Sequence, residues 1–171
     1  MTSDSSVRYN DDRNGDEAML KVGDKVPTVS LEDENGKQVS FKDFKGKTVV
    51  LFFYPRANTP GCTIEACGFR DAYKQIEKLG VVVLGISGDT SKAQKNFQDK
   101  FDLPYPLLAD PERKACDAFG VIKEKNMYGK KVKGIARTTF VIGPDGKIQH
   151  VFENVKADGH AVEVLNYLKS A

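Results

Sequence analysis

The sequence has no tryptophan and only two histidines, His150 and His160. A metal site built from several imidazoles is therefore not expected. A long apolar run is also missing, because the longest, residues 48–54, falls far short of the ~20 residues that span a bilayer. Neither sign of charge dominates, since 26 Lys and Arg residues oppose 24 Asp and Glu residues. These deficits predict a protein with no membrane span and no bulk attraction to nucleic acid.

Cysteine is scarce as well, with only Cys62, Cys67 and Cys116. Three cysteines are too few for a disulfide-stapled fold, and one is left over if two of them pair. Residues 1–19 carry two arginines against five acids, which suits neither a secretory signal nor a mitochondrial presequence. We predict a disordered tail there, with a vector remnant or a regulatory tail as alternatives. The missing signal favours the cytoplasm, a reducing compartment where cysteines serve chemistry more often than stapling.

The hydrophobic pattern of residues 20–171 predicts a single α/β domain. Residues 48–54 and 81–87 are apolar on both faces, as buried parallel strands are. Between them, apolar positions from 63 to 79 recur every three or four residues, which predicts a helix that Gly80 ends. Strand, helix and strand in this order imply a right-handed parallel crossover.

Antiparallel elements are expected on either side of this unit. An Asn35-Gly36 turn between short strands at 28–31 and 37–40 predicts an N-terminal β-hairpin. The other expected elements, in chain order, are a helix marked by Ala93, Phe97 and Phe101, a short helix opened by Asp110-Pro111 and closed by Gly120, a hairpin over 138–142 and 147–152, and a last helix from Asp158. The lysine-rich stretch 123–133 is interpreted as a solvated loop, with steering of nucleic acid or a partner as the weaker alternative. Together these elements predict a central mixed β-sheet with helices on both faces.

The segment from residue 54 to residue 70 concentrates the residues suited to chemistry. It places Cys62 just past the carboxyl end of a buried strand, the edge where open α/β sheets bind ligands, and in the first turn of a helix. The free amides and the dipole of a helix N-terminus favour an anion, so we expect a reactive thiolate. A cysteine that merely packs at the start of a helix is the alternative.

Cys67 follows Cys62 at a spacing that an intact helix cannot bridge. Five residues of helix rise about 7.5 Å and rotate about 140°, which separates the two Cα atoms by about 8.6 Å. A disulfide needs them within ~7 Å, so the pair is either two thiols on a folded helix or a disulfide on an unwound one. Gly68 lowers the cost of unwinding, and the pattern therefore predicts a redox switch. Two unrelated helix cysteines remain the alternative.

This segment resembles the active site of the peroxiredoxins. The pattern Pro55-x-x-x-Thr59-x-x-Cys62 matches their signature, and the string over residues 58–70 is similar to the peroxiredoxin Q subgroup, also called bacterioferritin comigratory protein. The similarity extends from about Leu20 to the C-terminus and includes Gly23-Asp24-x-x-Pro27 and Arg137-Thr138-Thr139-Phe140. It implies a thioredoxin-like fold, a monomer, and no metal or organic cofactor.

The resemblance also assigns roles to the cysteines and to one arginine. Cys62 matches the peroxidatic cysteine, whose thiolate attacks a peroxide oxygen and becomes a sulfenic acid. Cys67 matches the resolving cysteine, which condenses with that sulfenic acid. Arg137 matches the arginine that stabilises the thiolate and polarises the peroxide bond, although nothing else in the sequence singles it out.

Four further residues receive interpretations. Thr59 carries a hydroxyl that can bond both the sulfur and the peroxide, and Pro55 can shield the thiolate from water. Glu65 stands where the family has a glutamate that holds arginines in place, or is an ordinary first-turn acid. Cys116 is interpreted as a small buried hydrophobe, with a second resolving thiol as the alternative.

The resulting hypothesis is a thiol peroxidase of antioxidant defence. It reduces hydrogen peroxide and organic hydroperoxides through Cys62, forms a disulfide with Cys67, and is recycled by thioredoxin. Two alternatives use the same cysteine pair: a redox-regulated binding protein, and an exchanger of protein thiols and disulfides.

Overall fold

The computed structural model describes residues 19–171, with nine strands, four α-helices and one 3₁₀ turn, Phe41–Phe44, in that range. The strands are β1 Ser30–Glu32, β2 Gln38–Ser40, β3 Thr48–Phe53, β4 Val81–Ser87, β5 Leu107–Ala109, β6 Ile122–Met127, β7 Lys130–Ile135, β8 Thr138–Ile142 and β9 Ile148–Phe152, and an isolated bridge joins Lys25 and Lys147. The helices are α1 Pro60–Lys78, α2 Ser91–Phe101, α3 Lys114–Phe119 and α4 His160–Ser170.

Seven strands form one mixed sheet in the order β9-β8-β3-β4-β5-β1-β2. β3, β4 and β5 run parallel, and the expected crossover through α1 joins the first two. β8 pairs antiparallel with β3, and the predicted N-terminal hairpin β1-β2 adds to the far side through β5. The expected central mixed sheet is confirmed, although the short strand β5 was not predicted, because three apolar residues carry no periodicity.

Strand β3 shows how the sheet divides the core into two layers. Val50 and Phe52 point to the layer that contains α1, α2 and α4, whereas Val49, Leu51 and Phe53 point to the layer that contains α3 and the N-terminal segment. All five side chains are buried, as the unbroken apolar run predicted. The sheet therefore separates Cys62, in the first layer, from Cys116, in the second.

The short helix begins later than predicted. Asp110-Pro111 does not open it: Arg113 adopts a left-handed conformation with φ of 58°, and α3 begins at Lys114. Asp110 still caps the helix from a distance, because its Oδ2 accepts a hydrogen bond from Cys116 N at 2.8 Å. Asp110, which the sequence predicted as the cap, thus does bind an amide of the first helical turn, although a turn separates it from the helix.

The lysine-rich stretch is a two-stranded antiparallel ribbon, β6-β7, so the prediction of a loop was wrong. Its two-residue turn consists of Tyr128 and Gly129, with φ values of 53° and 79°. Positive φ at both positions is the type I′ geometry that matches the twist of a hairpin. The signal was missed because tyrosine replaces the usual Asn or Asp before the glycine.

The chain before the first strand is described only from Met19 onward. The predicted tail therefore lies outside the described residues except for Met19, which packs half-buried against the second core layer. Across residues 19–171, no helix combines the length and the apolar character needed to cross a bilayer.

Candidate active site

The loop from β3 into α1 places Cys62 at the carboxyl edge of the sheet. Pro60 is the first residue of α1, where its missing amide hydrogen costs nothing and its fixed φ suits the helix. Cys62 is the third residue, and the bond from Thr63 N to Thr59 O, 2.9 Å, belongs to the same first turn. Cys62 is only 1% exposed. The helix terminus thus holds a sulfur atom that bulk water barely reaches.

A guanidinium group joins Cys62 to Glu65. Arg137 Nη1 lies 3.5 Å from Cys62 Sγ and 2.7 Å from Glu65 Oε1, so one nitrogen donates to both side chains. Arg137 comes from the short connection between β7 and β8, and its carbonyl accepts a hydrogen bond from Val155 N at 3.2 Å. A Cβ added at Gly61 would lie 3.1 Å from Arg137 Nη2. The glycine lets the cation approach the helix terminus closely.

Glu65 is fully buried, and only Arg137 compensates its charge among the described residues. Burial raises the pKa of Glu65 from its ordinary 4.5 to about 7, although the hydrogen bond and the charge of Arg137 act in the opposite direction. Within residues 19–171, Glu65 Oε2 has no hydrogen-bond partner. The carboxylate is thus strongly tied to its arginine, because no other group replaces the water that it has lost.

The loop before α1 is held by Asp89, which the sequence analysis did not recognise as a site residue. Asp89 Oδ2 accepts hydrogen bonds from Ala57 N at 2.7 Å and from Ser87 Oγ at 2.6 Å. Asp89 follows β4, whereas Ala57 follows the adjacent strand β3. An acidic residue just past a buried strand, beside the strand that leads to Cys62, was the available signal.

Pro55 and Thr59 lie in the same loop and are half-buried. The hydroxyl of Thr59 donates to Arg56 O at 2.8 Å, so its proton is not directed at Cys62 Sγ here. The expected bond from Thr59 to the sulfur is therefore absent from the loop in this conformation, and the roles of both residues remain predictions.

Cys67 lies on the same helix as Cys62, and both are free thiols. Helix α1 is continuous from Pro60 to Lys78, which is the folded alternative that the spacing allowed. Cys67 is half-buried, and Gly68 beside it faces α4, where an added Cβ would lie 3.4 Å from Ala161 Cβ. A bond between the two sulfurs therefore requires this part of the helix to unwind.

Cys116 is unsuited to attack a peroxide. Its side chain is fully buried under the opposite face of the sheet, as the interpretation of a small buried hydrophobe predicted. Burial, and then the charge and hydrogen bonding of Asp110, raise the pKa of the Cys116 thiol far above its ordinary value. The thiol is thus kept in its neutral form.

The two histidines do not form a ligand set. His160 is buried at the start of α4, where its Nε2 lies 2.8 Å from Thr139 Oγ1 and its Nδ1 lies 2.9 Å from Glu163 Oε1. Burial lowers the pKa of His160 against the opposing effect of Glu163. Over residues 19–171, no cluster of three or more His, Cys, Asp or Glu side chains is arranged to hold a metal ion.

Comparison with known proteins gives consistent results. Residues 22–151 match the AhpC/TSA family. The chain is 50% identical over 149 residues to a putative peroxiredoxin bcp of Coxiella burnetii, covering 87% of this chain and 99% of the relative. It is 47% identical over 150 residues to peroxiredoxin Bcp of Escherichia coli strain K12, covering 88% of this chain and 96% of the relative.

Solved structures confirm the thioredoxin-like fold. A peroxiredoxin Q of Xanthomonas campestris superposes with a TM-score of 0.80 at 41% identity, covering 83% of this chain and 90% of that one. A cysteine-to-serine mutant of Xylella fastidiosa PrxQ gives a TM-score of 0.85 at 37% identity, covering 90% and 98%. A further structure, of Xanthomonas campestris bacterioferritin comigratory protein, was solved to give insight into that protein's alkyl peroxide reduction activity.

Proposed function

Since this chain belongs to the AhpC/TSA family and is a peroxiredoxin, a peroxidase, we propose that Cys62 is its peroxidatic cysteine and that Cys67 resolves the oxidised form. The observation that carries this assignment is the arginine placed 3.5 Å from Cys62 Sγ at a helix N-terminus. Neither of the other two cysteines has a guanidinium hydrogen-bonded to its sulfur among the described residues.

The first step is a two-electron transfer from sulfur to oxygen. The thiolate of Cys62 attacks one peroxide oxygen, an S–O bond forms and the O–O bond breaks. The sulfur becomes a sulfenic acid, and the departing hydroxide or alkoxide takes up a proton as water or an alcohol. Negative charge moves from sulfur to the leaving oxygen, so a fixed cation with donors directed at the leaving oxygen stabilises the transition state more than the ground state.

Arg137 supplies that cation, and Glu65 is its positioning residue. Arginine stays protonated at any pH that a protein meets and presents several donors in a fixed plane. Its Nη1 donates to the buried Glu65 at 2.7 Å and to Cys62 Sγ at 3.5 Å, which leaves the N–H groups of Nη2 and Nε to address a peroxide. Asp89 contributes indirectly, because it holds the loop that leads from β3 to Cys62.

In the second step the Cys67 thiol displaces the sulfenic hydroxyl. The S–O bond breaks, an S–S bond forms, and water leaves with the proton of the Cys67 thiol. Helix α1 must unwind between the two residues for this step and re-form after the disulfide is reduced. A dithiol reductant then attacks the disulfide through a mixed disulfide, and we propose thioredoxin for that role.

Burial of Cys62 favours peroxide chemistry over protein disulfide exchange. A protein disulfide must approach the attacking sulfur in line, which demands an exposed thiolate. Cys62 is 1% exposed, so hydrogen peroxide and slender organic hydroperoxides fit this access better than a folded protein does. The alkyl peroxide reduction activity studied in the Xanthomonas campestris relative supports the same substrate class.

The test follows peroxide consumption with thioredoxin, thioredoxin reductase and NADPH. We expect many turnovers that disappear in Cys62→Ser, and an initial oxidation without sustained cycling in Cys67→Ser. Cys116→Ser is the matched control and should cycle normally.

Other outcomes would identify the alternatives. A single stoichiometric oxidation of the wild type would favour the redox-regulated binding protein, and insulin reduction without peroxide use would favour the exchanger. Unimpaired cycling of Cys67→Ser would assign resolution to Cys116 or to direct reduction. Mass-spectrometric mapping of the disulfide after one equivalent of peroxide identifies the resolving residue directly, and sedimentation of both redox forms tests the proposed monomer.

A further inference from the structure

A buried tyrosine hydroxyl is bonded to the backbone of α1 between the two cysteines. Tyr105 Oη donates to the carbonyl oxygen of Ala66 at 2.6 Å. Tyr105 lies in the loop between α2 and β5 and is 1% exposed. Its ring packs edge-on against Phe52, with the centroids 5.7 Å apart. The core fixes the Tyr105 ring, and the ring places its hydroxyl against α1 from a segment outside that helix.

The acceptor carbonyl belongs to the peptide that links Ala66 to Cys67. Cys67 cannot bond to Cys62 while the whole segment from residue 62 to residue 67 stays helical, because five residues of intact helix hold the Cα atoms too far apart. The Ala66–Cys67 peptide is the last one in that segment, and a route in which Cys67 moves toward Cys62 turns this peptide out of its helical orientation. Such a turn separates Ala66 O from the Tyr105 hydroxyl.

Loss of this hydrogen bond costs more free energy at the Tyr105 hydroxyl than at the Ala66 carbonyl. A buried hydroxyl without an acceptor carries the full cost of its lost hydration, whereas a helical carbonyl can regain water when its segment unwinds. Burial also raises the pKa of Tyr105 well above its ordinary value, so the group remains a neutral donor. The bond thus favours the folded helix over the unwound one.

Neighbouring contacts limit the movement on the C-terminal side of Cys67. One turn later, Arg70 Nη1 donates to Phe101 O at 2.9 Å, at the end of α2. Phe69 stacks on Phe52 with centroids 4.5 Å apart. These contacts hold the helix after Cys67 to the body of the protein, and the Tyr105 bond holds the peptide just before Cys67.

We propose that Tyr105 is a positioning residue that holds the Ala66–Cys67 peptide in α1 and so sets the rate at which Cys67 reaches the oxidised Cys62. This inference rests on the proposed function. A slower encounter prolongs the life of the sulfenic acid, and a second peroxide can then oxidise it to a sulfinic acid with release of water. Tyr105 therefore controls the partition of Cys62 between the disulfide and the sulfinic acid.

The test uses Tyr105→Phe, which removes one oxygen and keeps the ring. Samples mixed with hydrogen peroxide are quenched in acid at short times, alkylated and analysed by mass spectrometry. We expect disulfide formation to accelerate about three- to tenfold, the range of one hydrogen bond. The peroxide concentration that converts half of Cys62 to sulfinic acid should rise by the same factor. The rate of the first oxidation should not change.

Tyr73→Phe is the matched control. Tyr73 lies on α1 beyond both cysteines, and its hydroxyl bonds the exposed Glu77 carboxylate at 3.4 Å. It should leave both the rate and the partition unchanged. A purely structural role of Tyr105 would lower the melting temperature without moving the partition, so both are measured.

The possible failures are distinguishable. If the wild type forms no disulfide between Cys62 and Cys67, the proposed function fails. If it does, and Tyr105→Phe resolves at the wild-type rate or more slowly, only the role of Tyr105 is overturned. If Tyr105→Phe does not fold, 3-fluorotyrosine at position 105 keeps the ring and strengthens the donor, and resolution should then be slower than in the wild type. An unchanged rate in that variant overturns the inference as well.

Discussion

Cys62 and Cys116 occupy the same position in two helices, yet a guanidinium group contacts the sulfur of only Cys62 among the residues that the structure describes. Each is the third residue of its helix, α1 for Cys62 and α3 for Cys116. The two residues are 1% and 0% exposed. Both lie in a first helical turn, where the backbone favours a negative charge.

The charged neighbour distinguishes the two sites. Cys62 faces the Arg137 guanidinium at 3.5 Å, whereas the backbone of Cys116 is bonded to the Asp110 carboxylate at 2.8 Å. A cation stabilises a thiolate and an adjacent anion opposes it, and both effects are strong where water is excluded. The comparison teaches that a helix terminus alone does not make a cysteine reactive. Cys62 also has a cation from a distant part of the chain beside its sulfur, which Cys116 lacks within the described part of the chain.

Replacing that cation should give the largest effect. In Arg137→Met the side chain keeps most of its volume but donates no hydrogen bond to Cys62 or to the leaving oxygen. We expect the second-order rate of Cys62 oxidation by hydrogen peroxide to fall about 10²- to 10³-fold, as when an oriented donor is removed from an active site. Competition against a peroxidase of known rate measures it.

Arg113→Met is the control for this prediction. Arg113 lies beside α3, and its Nη1 bonds Lys133 O at 3.1 Å, on the Cys116 side of the sheet. It should leave Cys62 oxidation within about twofold of the wild type. Equal losses in both variants would contradict a specific role for Arg137.

Substitutions at two glycines of α1 should have smaller effects, and they separate the first oxidation from disulfide formation. A Cβ at Gly61 lies 3.1 Å from Arg137 Nη2, so Gly61→Ala must displace the guanidinium. We expect Cys62 oxidation to slow about tenfold, since small misplacements of reacting groups cost rate steeply. Stopped-flow mixing with hydrogen peroxide checks this step.

Gly68→Ala is the matched substitution. Its Cβ meets Ala161 Cβ at an ordinary 3.4 Å, and alanine stabilises a helix by about 1 kcal/mol relative to glycine. The first oxidation should be unchanged while disulfide formation slows. The opposite pattern, in which Gly68→Ala slows the first oxidation and Gly61→Ala does not, would contradict the placement of Arg137.

The pH dependence tests the coupling between Glu65 and Arg137. Because the pKa of Glu65 is raised to about 7, the wild-type side chain is neutral in acid and then resembles glutamine. We expect the oxidation rates of the wild type and Glu65→Gln to converge at about pH 5.5, well below that pKa. Above about pH 7 the wild type should be several-fold faster, because ionised Glu65 then orients Arg137. A ratio that does not change with pH would contradict this coupling.

The free energy of unfolding should depend on Glu65 in the opposite direction to the oxidation rate: it should fall as the pH rises. A carboxyl whose pKa is higher in the folded state stabilises the fold while protonated, and this contribution is lost as the pH rises from about 4.5 through about 7. The free energy of unfolding of the wild type, relative to Glu65→Gln, should fall by up to about 3 kcal/mol across that window. Urea titrations at a series of pH values measure the difference.

The sequence predicted the parts of this site that are local and not the parts that are assembled. Cys62, Cys67 and Glu65 share one helix, and spacing related the two cysteines, whereas the family resemblance pointed to Glu65. Arg137 is 75 residues from Cys62, and only a family resemblance identified it. Asp89 and Tyr105 act on the backbone of the loop and helix around Cys62. The position of Asp89 just after a buried strand was its signal, whereas the hydrogen bond of Tyr105 to the backbone leaves no pattern in the sequence.

The elements of the fold also separate into those that local sequence predicted and those that it missed. Long periodic segments such as α1 and β4 were predicted within a few residues, because each carries several turns or alternations of signal. Strand β5 and ribbon β6-β7 were missed, since β5 is three residues long and β7 is exposed over most of its length. Their pairing is set by tertiary contacts and by turn geometry, which single-residue preferences do not record.

The smallest expected effect concerns Cys116 and separates burial from charge. Asp110→Asn removes the negative charge and keeps an oxygen that can accept from Cys116 N. If charge alone silenced Cys116, this variant would react with iodoacetamide in the folded state. Burial is the larger cause of the raised pKa, so we expect no detectable alkylation of Cys116 in either protein. Cys62→Ser and Cys67→Ser in both backgrounds make Cys116 the only thiol observed, and denaturation supplies the positive control. Rapid alkylation of the Asp110→Asn protein while it remains folded would show that the carboxylate, rather than the apolar layer around it, keeps the second helix-terminal cysteine inert.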